Sequence, residues 1–205
     1  KGHKGITCFA IEKGAKGFEP QKKEDKMGMR SSDTCSIALS GVKVPDKNRI
    51  GEVGEGFKIA MESLNCGRIG IAAQGIGIAQ GAFEKSLEYS KQRKAFGTLI
   101  ADHQAIQFKL AEMDMKIEAA RALVLKAAYM KDQHKHFVKE SAQCKLFAAN
   151  TAVEVTREAV QIHGGYGYTR EYEVERMMRD AKVIEIYEGT SEVQHIVIAR
   201  ELLKE

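Results

Sequence analysis

The pattern of hydrophobic and polar residues changes character at about residue 50. Before it, Cys35, Ile37 and Leu39 alternate with the small residues at positions 36, 38 and 40, which predicts a strand within residues 34–44. Residues 5–12 are β-branched and aromatic between glycines and predict a second strand, and residues 16–30 have room for a third. The first 50 residues thus contain about three strand signals, too few to close a sheet alone.

From about residue 56 the apolar residues recur at helical spacings. One series predicts a helix over residues 102–130, and a second predicts a helix around residues 142–160. The positions are Ile106, Leu110, Met113, Ile117, Ala120, Val124 and Ala128, then Ala142, Leu146, Ala149, Val153, Thr156 and Val160. Residues 56–93 are also helical in pattern, with an interruption near residues 65–67. A short helix over 172–182 and a last one over 191–203 complete a pattern typical of a helical bundle.

The first of these helices carries a stripe of small residues at spacings of 3, 4 and 4: Gly70, Ala73, Gly77 and Gly81. Each internal glycine destabilises the helix by about 1 kcal/mol relative to alanine, so we expect the close approach of another helix to offset this loss. Two interpretations stay open, which are tight packing within the bundle and a subunit interface. The glycines at 75, 77 and 81 do not form a Rossmann loop, because their spacing is wrong and no strand precedes them.

Composition narrows the class of protein. The 205 residues are 43% hydrophobic and 29% charged, which is ordinary for a globular protein. Residues 1–50 carry 11 Lys/Arg against 6 Asp/Glu, but the lysines alternate with acidic residues and Trp is absent, which argues against nucleic-acid binding. The most apolar run, Ile69 to Phe83, is shorter than the roughly 20 residues of a membrane span.

The cysteines indicate the redox environment of the chain, and the first residue bears on whether it is part of a longer polypeptide. Four cysteines lie far apart without a C-x-x-C pair, which argues against a zinc site or a disulfide framework and favours a reducing compartment. The chain starts at Lys1 with no methionine, so we expect it to be part of a longer polypeptide.

Two glycine-rich breaks could hold chemistry. The first, QIHGGYGY at residues 161–168, has more glycines than a helix cap requires, so its backbone N–H groups could approach a bulky or anionic ligand. We expect His163 to be packed rather than to act as a base.

The second break is IYEGTSEVQ at residues 186–194. Ser191 with Gln194 forms a capping-box pattern and predicts a helix start at about Ser191, where free N–H groups could hold an anion. Glu188, next to apolar Ile186 and Tyr187, is a candidate general base.

Seven segments, read in order, resemble the acyl-CoA dehydrogenases. They are residues 29–45, 65–72, 93–97, 103–104, 161–165, 179–182 and 186–191. The resemblance covers essentially the whole chain and is to the C-terminal half of such an enzyme, with the short-chain (butyryl) and short branched-chain members most similar. It implies that residues 1–52 are the last part of the middle β-barrel domain and that residues 53–205 form an antiparallel four-helix bundle.

The resemblance further implies a homotetrameric flavoprotein with FAD between subunits. Arg93, Phe96 and Gln104 would reach the FAD of a neighbouring subunit, with Arg93 suited to its pyrophosphate. Gln161, Gly164 and Gly165 would line the adenosine side. Thr190 and Glu192 would contact FAD in their own active site, and Asn65, Arg68 and Gly189 would contact substrate.

The implied reaction converts a short-chain acyl-CoA thioester to the trans-2-enoyl-CoA. Glu188 would remove the α-proton while the β-hydrogen leaves as a hydride to FAD, and electrons would pass to an electron-transfer flavoprotein. The Glu188 N–H and a flavin ribityl hydroxyl would polarise the thioester carbonyl. Gly67 stands where the isovaleryl and long-chain members have a glutamate base, which favours Glu188 as the base here.

Other readings remain. The substrate could be a branched-chain or glutaryl-CoA thioester, or the chain could be an inactive fragment that acts only as a helical oligomerisation module. On its own the chain is expected to bind FAD weakly or not at all and to show no turnover. The expected compartment is the cytoplasm in a bacterium and the mitochondrial matrix in a eukaryote.

Overall fold

The computed structural model describes residues 2–204 and divides them into two compact units. The division falls between residues 64 and 65, inside the first helix. None of the helices described has the length and apolar character that a membrane crossing requires. The four cysteines are free thiols in this part of the chain.

The unit of residues 2–64 contains two small antiparallel sheets. Strand β1 (Cys8–Phe9) pairs with β4 (Arg49–Ile50), and β2 (Phe18–Lys23) pairs with β3 (Cys35–Leu39). The third strand expected within residues 16–30 is present as β2. The other two are shorter than predicted, because β1 has a partner over only two residues and β3 ends before the left-handed turn at Gly41.

The second unit, residues 65–204, is helical. Helix α1 (Gly56–Ser90) starts in the first unit and continues into this one, where a hairpin of β5 (Lys94–Ala95) and β6 (Thr98–Leu99) follows it. Then come α2 (Gln104–Asp132), α3 (Val138–His163), α4 (Val174–Lys182) and α5 (Ser191–Leu202). The mainly α fold and the helices predicted from periodicity are therefore confirmed.

The interruption predicted near residues 65–67 is wrong, because α1 runs through it unbroken. Asn65 and Gly67 are weak helix formers, but intrinsic propensity is a weak prior that tertiary packing overrides. Here the buried positions Arg68, Ala72 and Ile76 hold the helix against its neighbours.

Helix α3 lies at the centre of the bundle and packs against α2, α4 and α5. Small side chains let helix backbones approach closely, and this core is rich in fully buried alanines. They are Ala72, Ala79, Ala82, Ala120, Ala127, Ala142, Ala148, Ala149, Ala152, Ala159 and Ala181. Because α3 has neighbours on several sides, Cys144 and Lys145 are buried although the predicted face omitted them.

The small-residue stripe of α1 is mostly unpartnered in this chain. Gly70, Ala73 and Gly77 are exposed, and among the described residues nothing lies within 4 Å of a Cβ built on Gly70 or Gly77. Among the stripe glycines of the described structure, Gly81 alone approaches another helix, with its built Cβ 3.4 Å from the Met177 Cε atom. Packing within the bundle thus explains one stripe position, and the subunit-interface interpretation of the rest stays a prediction.

Candidate active site

The backbone reverses direction at Glu188 and Gly189, between α4 and α5. Glu188 has a φ of 56° and Gly189 has a φ of 92°, both in the left-handed region. A non-glycine residue in this region is uncommon and strained by roughly 1–3 kcal/mol, and such strain persists only where the surroundings enforce it. The turn is therefore a candidate functional feature.

Two buried side chains fix the carbonyl groups of this turn. The Lys145 Nζ atom donates to the Gly189 carbonyl at 2.7 Å. The Gln194 Nε2 atom donates to the Gly189 carbonyl at 2.8 Å and to the Glu188 carbonyl at 3.2 Å. Both side chains are fully buried, and the hydrogen bonds that they donate are part-buried.

Helix α5 begins immediately after the turn, and its cap differs from the predicted one. The predicted start at about Ser191 is confirmed, but the cap is Thr190, whose Oγ1 accepts from the Val193 N–H at 3.3 Å. The capping box of Ser191 with Gln194 is wrong. Ser191 is the first helical residue, and the Gln194 amide reaches the loop carbonyls instead.

The Glu188 carboxylate lies against the backbone of α1 at Gly67. A Cβ built on Gly67 would be 2.5 Å from Glu188 Oε2 and 3.0 Å from its Cδ atom. No side chain at position 67 can coexist with this carboxylate position. The glycine therefore makes room for Glu188.

An arginine lies one residue further along α1. Arg68 is only 6% exposed, and its Nη1 donates to Asn65 Oδ1 at 2.9 Å. Burial lowers the pKa of the Arg68 guanidinium, whereas the nearby Glu188 carboxylate acts in the opposite direction. Arginine stays protonated in proteins, so Arg68 places a cation beside the Glu188 carboxylate.

The buried polar atoms that lack a hydrogen-bond partner are concentrated here. Among the described residues they are Arg68 Nε, Glu188 Oε2, Ser191 Oγ and Gln194 Oε1. Buried polar atoms are normally satisfied, so each exception calls for an explanation. They comprise one donor and three oxygens that can accept hydrogen bonds. A bound polar ligand would supply their missing partners.

A second candidate site is a groove beside the first glycine-rich break. The groove encloses about 520 Å³ and is lined by Arg93, His163, Gly164, Gly165 and other residues. The Arg93 guanidinium lies 5.4 Å from the centre of the Tyr166 ring. Gly164 has a φ of 60°, and a Cβ on either groove glycine would have open space. A cation beside accessible backbone suits a phosphate group.

The remaining predicted FAD contacts lie outside this groove. Phe96, Gln104 and Gln161 are exposed and are not among the groove-lining residues described. Phe96 is 98% exposed at the tip of the β5–β6 hairpin, where it has a φ of 54°. Glu192 is exposed in the first turn of α5, and hydrogen bonds from its own N–H and from the Thr190 hydroxyl lower the pKa of its carboxyl.

The comparison with known proteins decides the family. The model of the acyl-CoA dehydrogenase C-terminal domain matches residues 54–203. The chain belongs to the acyl-CoA dehydrogenase family. The family predicted from the seven segments is thereby confirmed.

Relatives of this acyl-CoA dehydrogenase chain are about half identical to it. The short-chain specific acyl-CoA dehydrogenase of Clostridium acetobutylicum is 52% identical over 204 residues, covering 100% of this chain and 54% of that protein. The caffeyl-CoA reductase-Etf complex subunit CarC of Acetobacterium woodii is 49% identical over 204 residues, with 100% and 54% covered.

A solved structure is equally similar. Butyryl-CoA dehydrogenase from Megasphaera elsdenii superposes with a TM-score of 0.98 at 54% identity, covering 100% of this chain and 53% of that one. The chain thus spans about half the length of these relatives. The family match starts at residue 54, and the boundary expected at residues 52 and 53 stays a prediction.

Most of the residues predicted for the acyl-CoA dehydrogenase site fall into two groups. Glu188, Gly189 and Arg68 come together, with Asn65 bonded to Arg68 and Thr190 next in sequence. Arg93, Gly164 and Gly165 line the separate groove. His163 is buried, stacked on Tyr89, and donates from Nδ1 to the Ala159 carbonyl at 2.8 Å, which agrees with a packed role.

Two polar residues of the site were not foreseen. No sequence motif contains Lys145, and the capping-box pattern contains Gln194 only as a cap residue. Helical spacing could have indicated Lys145, because it lies three residues after Ala142 and four before Ala149 on a buried face. A lysine among core positions is a rare event that signals a partner.

Proposed function

We propose that this chain supplies the catalytic base of an FAD-dependent acyl-CoA dehydrogenase acting on short-chain thioesters, with Glu188 as that base. The observation that carries the proposal is the Glu188 carboxylate, which rests in the space that Gly67 leaves and whose buried Oε2 has no hydrogen-bond partner among the described residues. The similarity to short-chain dehydrogenases supports the substrate class.

The reaction removes two hydrogens from adjacent carbons of the acyl group. The α-proton moves to a Glu188 carboxylate oxygen, and the electron pair of that C–H bond forms the new C=C bond. The β-hydrogen leaves with its own electron pair, so the thioester loses two electrons overall. When bound, FAD would supply the hydride acceptor.

The α-proton of a thioester is too weakly acidic to be removed without help. Donors aimed at the thioester oxygen stabilise the negative charge that develops there, and the backbone N–H of Glu188 is the donor that this chain offers. We also propose Asn65, Arg68 and Gly189 as substrate contacts, because the Arg68 charge acts on Glu188, Asn65 is hydrogen-bonded to Arg68, and Gly189 directly follows Glu188.

The groove fits the phosphate-bearing part of FAD. Arg93 would pair with the pyrophosphate, and Gly164 and Gly165 would let the cofactor approach the backbone. We also assign Gln161 to the adenosine side. Phe96 and Gln104, like Arg93, are assigned to the FAD of a neighbouring subunit, and Thr190 and Glu192 to the FAD of their own active site. Binding by residues from two subunits would require at least a dimer, and we propose the homotetramer that the family resemblance implies.

The proposed partners are an electron-transfer flavoprotein and further copies of the chain. The relative from Acetobacterium woodii is a subunit of an Etf complex, which supports the first. The exposed stripe of Gly70, Ala73 and Gly77 supports the second. The bacterial cytoplasm or the mitochondrial matrix remains the predicted compartment.

A second candidate function is the reverse reaction, reduction of a 2-enoyl-CoA. The observation in its favour is that the same relative is named a caffeyl-CoA reductase. Glu188 would then return a proton to the α-carbon. Turnover measured in both directions, over thioesters of increasing length and branching, distinguishes the two functions and identifies the substrate.

The base assignment is tested with Glu188→Gln in a full-length flavoprotein containing this chain. The amide cannot accept the α-proton, so anaerobic bleaching of the flavin by butyryl-CoA should slow by about 100-fold or more. FAD absorbance of the purified variant is the control for an intact site. A variant that retained more than about a tenth of the bleaching rate would rule out Glu188 as the base.

A further inference from the structure

We propose that Lys145 is a positioning residue that holds the Glu188–Gly189 turn, and so the Glu188 carboxylate, in the conformation used for proton transfer. The inference rests on the proposed role of Glu188 as the base. It is carried by the hydrogen bond from Lys145 to the Gly189 carbonyl and by the left-handed conformation of both turn residues.

Lys145 is the largest fully buried side chain in the described part of the chain. Burial lowers the pKa of its amine to about 8, and the Arg68 cation adds to this lowering. Glu185, Glu188 and Glu192 act in the opposite direction. Burying an ammonium group is costly, so a methionine of similar length would serve the fold at least as well. Stability alone therefore does not account for the lysine.

The Gly189 carbonyl does not depend on Lys145 for a partner. Gln194 already donates to this oxygen at 2.8 Å, so the carbonyl would stay satisfied without the lysine. Lys145 adds a second donor from α3, whereas Gln194 belongs to α5. Two donors from different helices restrict the orientation of the peptide group more than either one does.

This restriction bears directly on the base. Glu188 has a φ of 56°, and a relaxation to the ordinary negative φ region would redirect its side chain away from Gly67. Proton transfer requires the base within hydrogen-bond reach of the proton. A displacement of about 1 Å in such a site costs on the order of 100-fold in rate.

The test compares Lys145→Met with Lys145→Arg in the full-length flavoprotein. Thr156→Val is the matched control, because Thr156 is a buried residue of α3 whose hydroxyl donates to the Ala152 carbonyl at 2.7 Å. It lies 11 residues after Lys145, about 16 Å along the helix. Each variant is examined by flavin bleaching, by KM for butyryl-CoA, by thermal unfolding and by amide hydrogen exchange of residues 187–194.

Lys145→Met should bind FAD and unfold at no lower temperature than the wild type. Its bleaching should nevertheless slow by roughly 10- to 100-fold with little change in KM, since the base is misplaced and not removed. Amide exchange in residues 187–194 should accelerate, and Lys145→Arg should recover most of the rate. Thr156→Val should show the opposite pattern, with a lower unfolding temperature and a normal rate.

The proposal is overturned if Lys145→Met bleaches within about twofold of the wild-type rate, or if exchange in residues 187–194 is unchanged. A Lys145→Met protein that does not fold or bind FAD also contradicts it, because that result assigns the lysine to folding. Glu188→Gln separates the two hypotheses. If it bleaches normally the base assignment fails, whereas loss of bleaching only in Glu188→Gln leaves the base in place and refutes the positioning role.

Discussion

At the scale of single residues, a side chain at position 67 and the Glu188 carboxylate compete for the same space. The carboxylate occupies the volume that any side chain at position 67 would fill, so only one of the two positions can place a functional group there. The atoms that a Cβ at 67 would meet are the far end of a flexible side chain. The fold can therefore absorb a larger residue at position 67 by moving the carboxylate.

Gly67→Ala should consequently separate stability from activity. Alanine in the interior of α1 should leave stability unchanged or raise it by up to about 1 kcal/mol, because glycine is the poorer helix former. The same methyl group should displace the Glu188 carboxylate and slow flavin bleaching by about tenfold or more. Chemical denaturation and stopped-flow absorbance measure the two effects.

Asn150→Ala is the control for this substitution. Asn150 is an exposed residue in the interior of α3, and asparagine is also a poorer helix former than alanine. This variant should be at least as stable as the wild type and should keep its bleaching rate. Normal bleaching by Gly67→Ala would show that the carboxylate position seen here is not the reactive one.

The sequence identified the candidate base but not the side chains whose hydrogen bonds hold its backbone in place. Glu188 was predicted from its place before a helix, and its family motif pointed to the same residue. Lys145 was missed because a charged residue breaks an apolar pattern. The left-handed backbone of Glu188 was also not predictable, because it depends on hydrogen bonds from residues 43 positions earlier and six positions later in the chain.

At the scale of elements, the start of α5 sets the geometry of the turn before it. Thr190 adopts an extended conformation and caps the helix, so the chain leaves the left-handed Gly189 and enters α5 within one residue. Ser191 carries a hydroxyl of the same type one position later, yet in the described structure that oxygen is buried without a partner. Two adjacent hydroxyl residues thus have different roles.

Thr190→Ala and Ser191→Ala should accordingly differ in stability. Loss of the Thr190 cap should lower the free energy of unfolding by about 1 kcal/mol. Loss of the Ser191 hydroxyl should have almost no effect or be slightly stabilising, because no hydrogen bond is removed. Urea denaturation of both variants beside the wild type measures the difference, and a larger loss for Ser191→Ala would contradict the assigned cap.

The helix predictions were correct where the series of apolar positions was long, and they were wrong where they depended on a local feature such as a single glycine. The two long apolar series located α2 and α3, although the last buried position of α2 is Ala127 and not Ala128. Gly67 suggested a break in α1 because a sequence does not show that a carboxylate from a distant loop fills the space beside it. The strands were overestimated because their pairing partners, and not their composition, determine their length.

At the scale of the whole molecule, a buried lysine couples folding to pH. The folded chain lowers the pKa of Lys145 from 10.5 to about 8, chiefly through burial. Between these values the unfolded chain binds more protons than the folded one, so the contribution of this group to stability rises with pH. Below about pH 8 the fold carries a buried ammonium group.

The difference between wild type and Lys145→Met isolates this contribution. From pH 8 to pH 10 the wild type should gain stability relative to the variant, by at most about 1.4 kcal/mol per pH unit. Denaturation curves at several pH values measure it, with the variant correcting for the other titrating groups. A difference that stayed constant over this range would contradict the assigned pKa.

The central claim is that Glu188 carries the proton between the α-carbon of the thioester and solvent. Hydrogen exchange at that carbon observes this step separately from hydride transfer. Butyryl-CoA is incubated in D₂O with the full-length flavoprotein or with Glu188→Gln, and deuterium at the α-carbon is followed by mass spectrometry. Incorporation should be steady with the wild type and slower by about 100-fold or more with the variant, because the amide cannot accept the α-proton. Equal incorporation by the two proteins would contradict it.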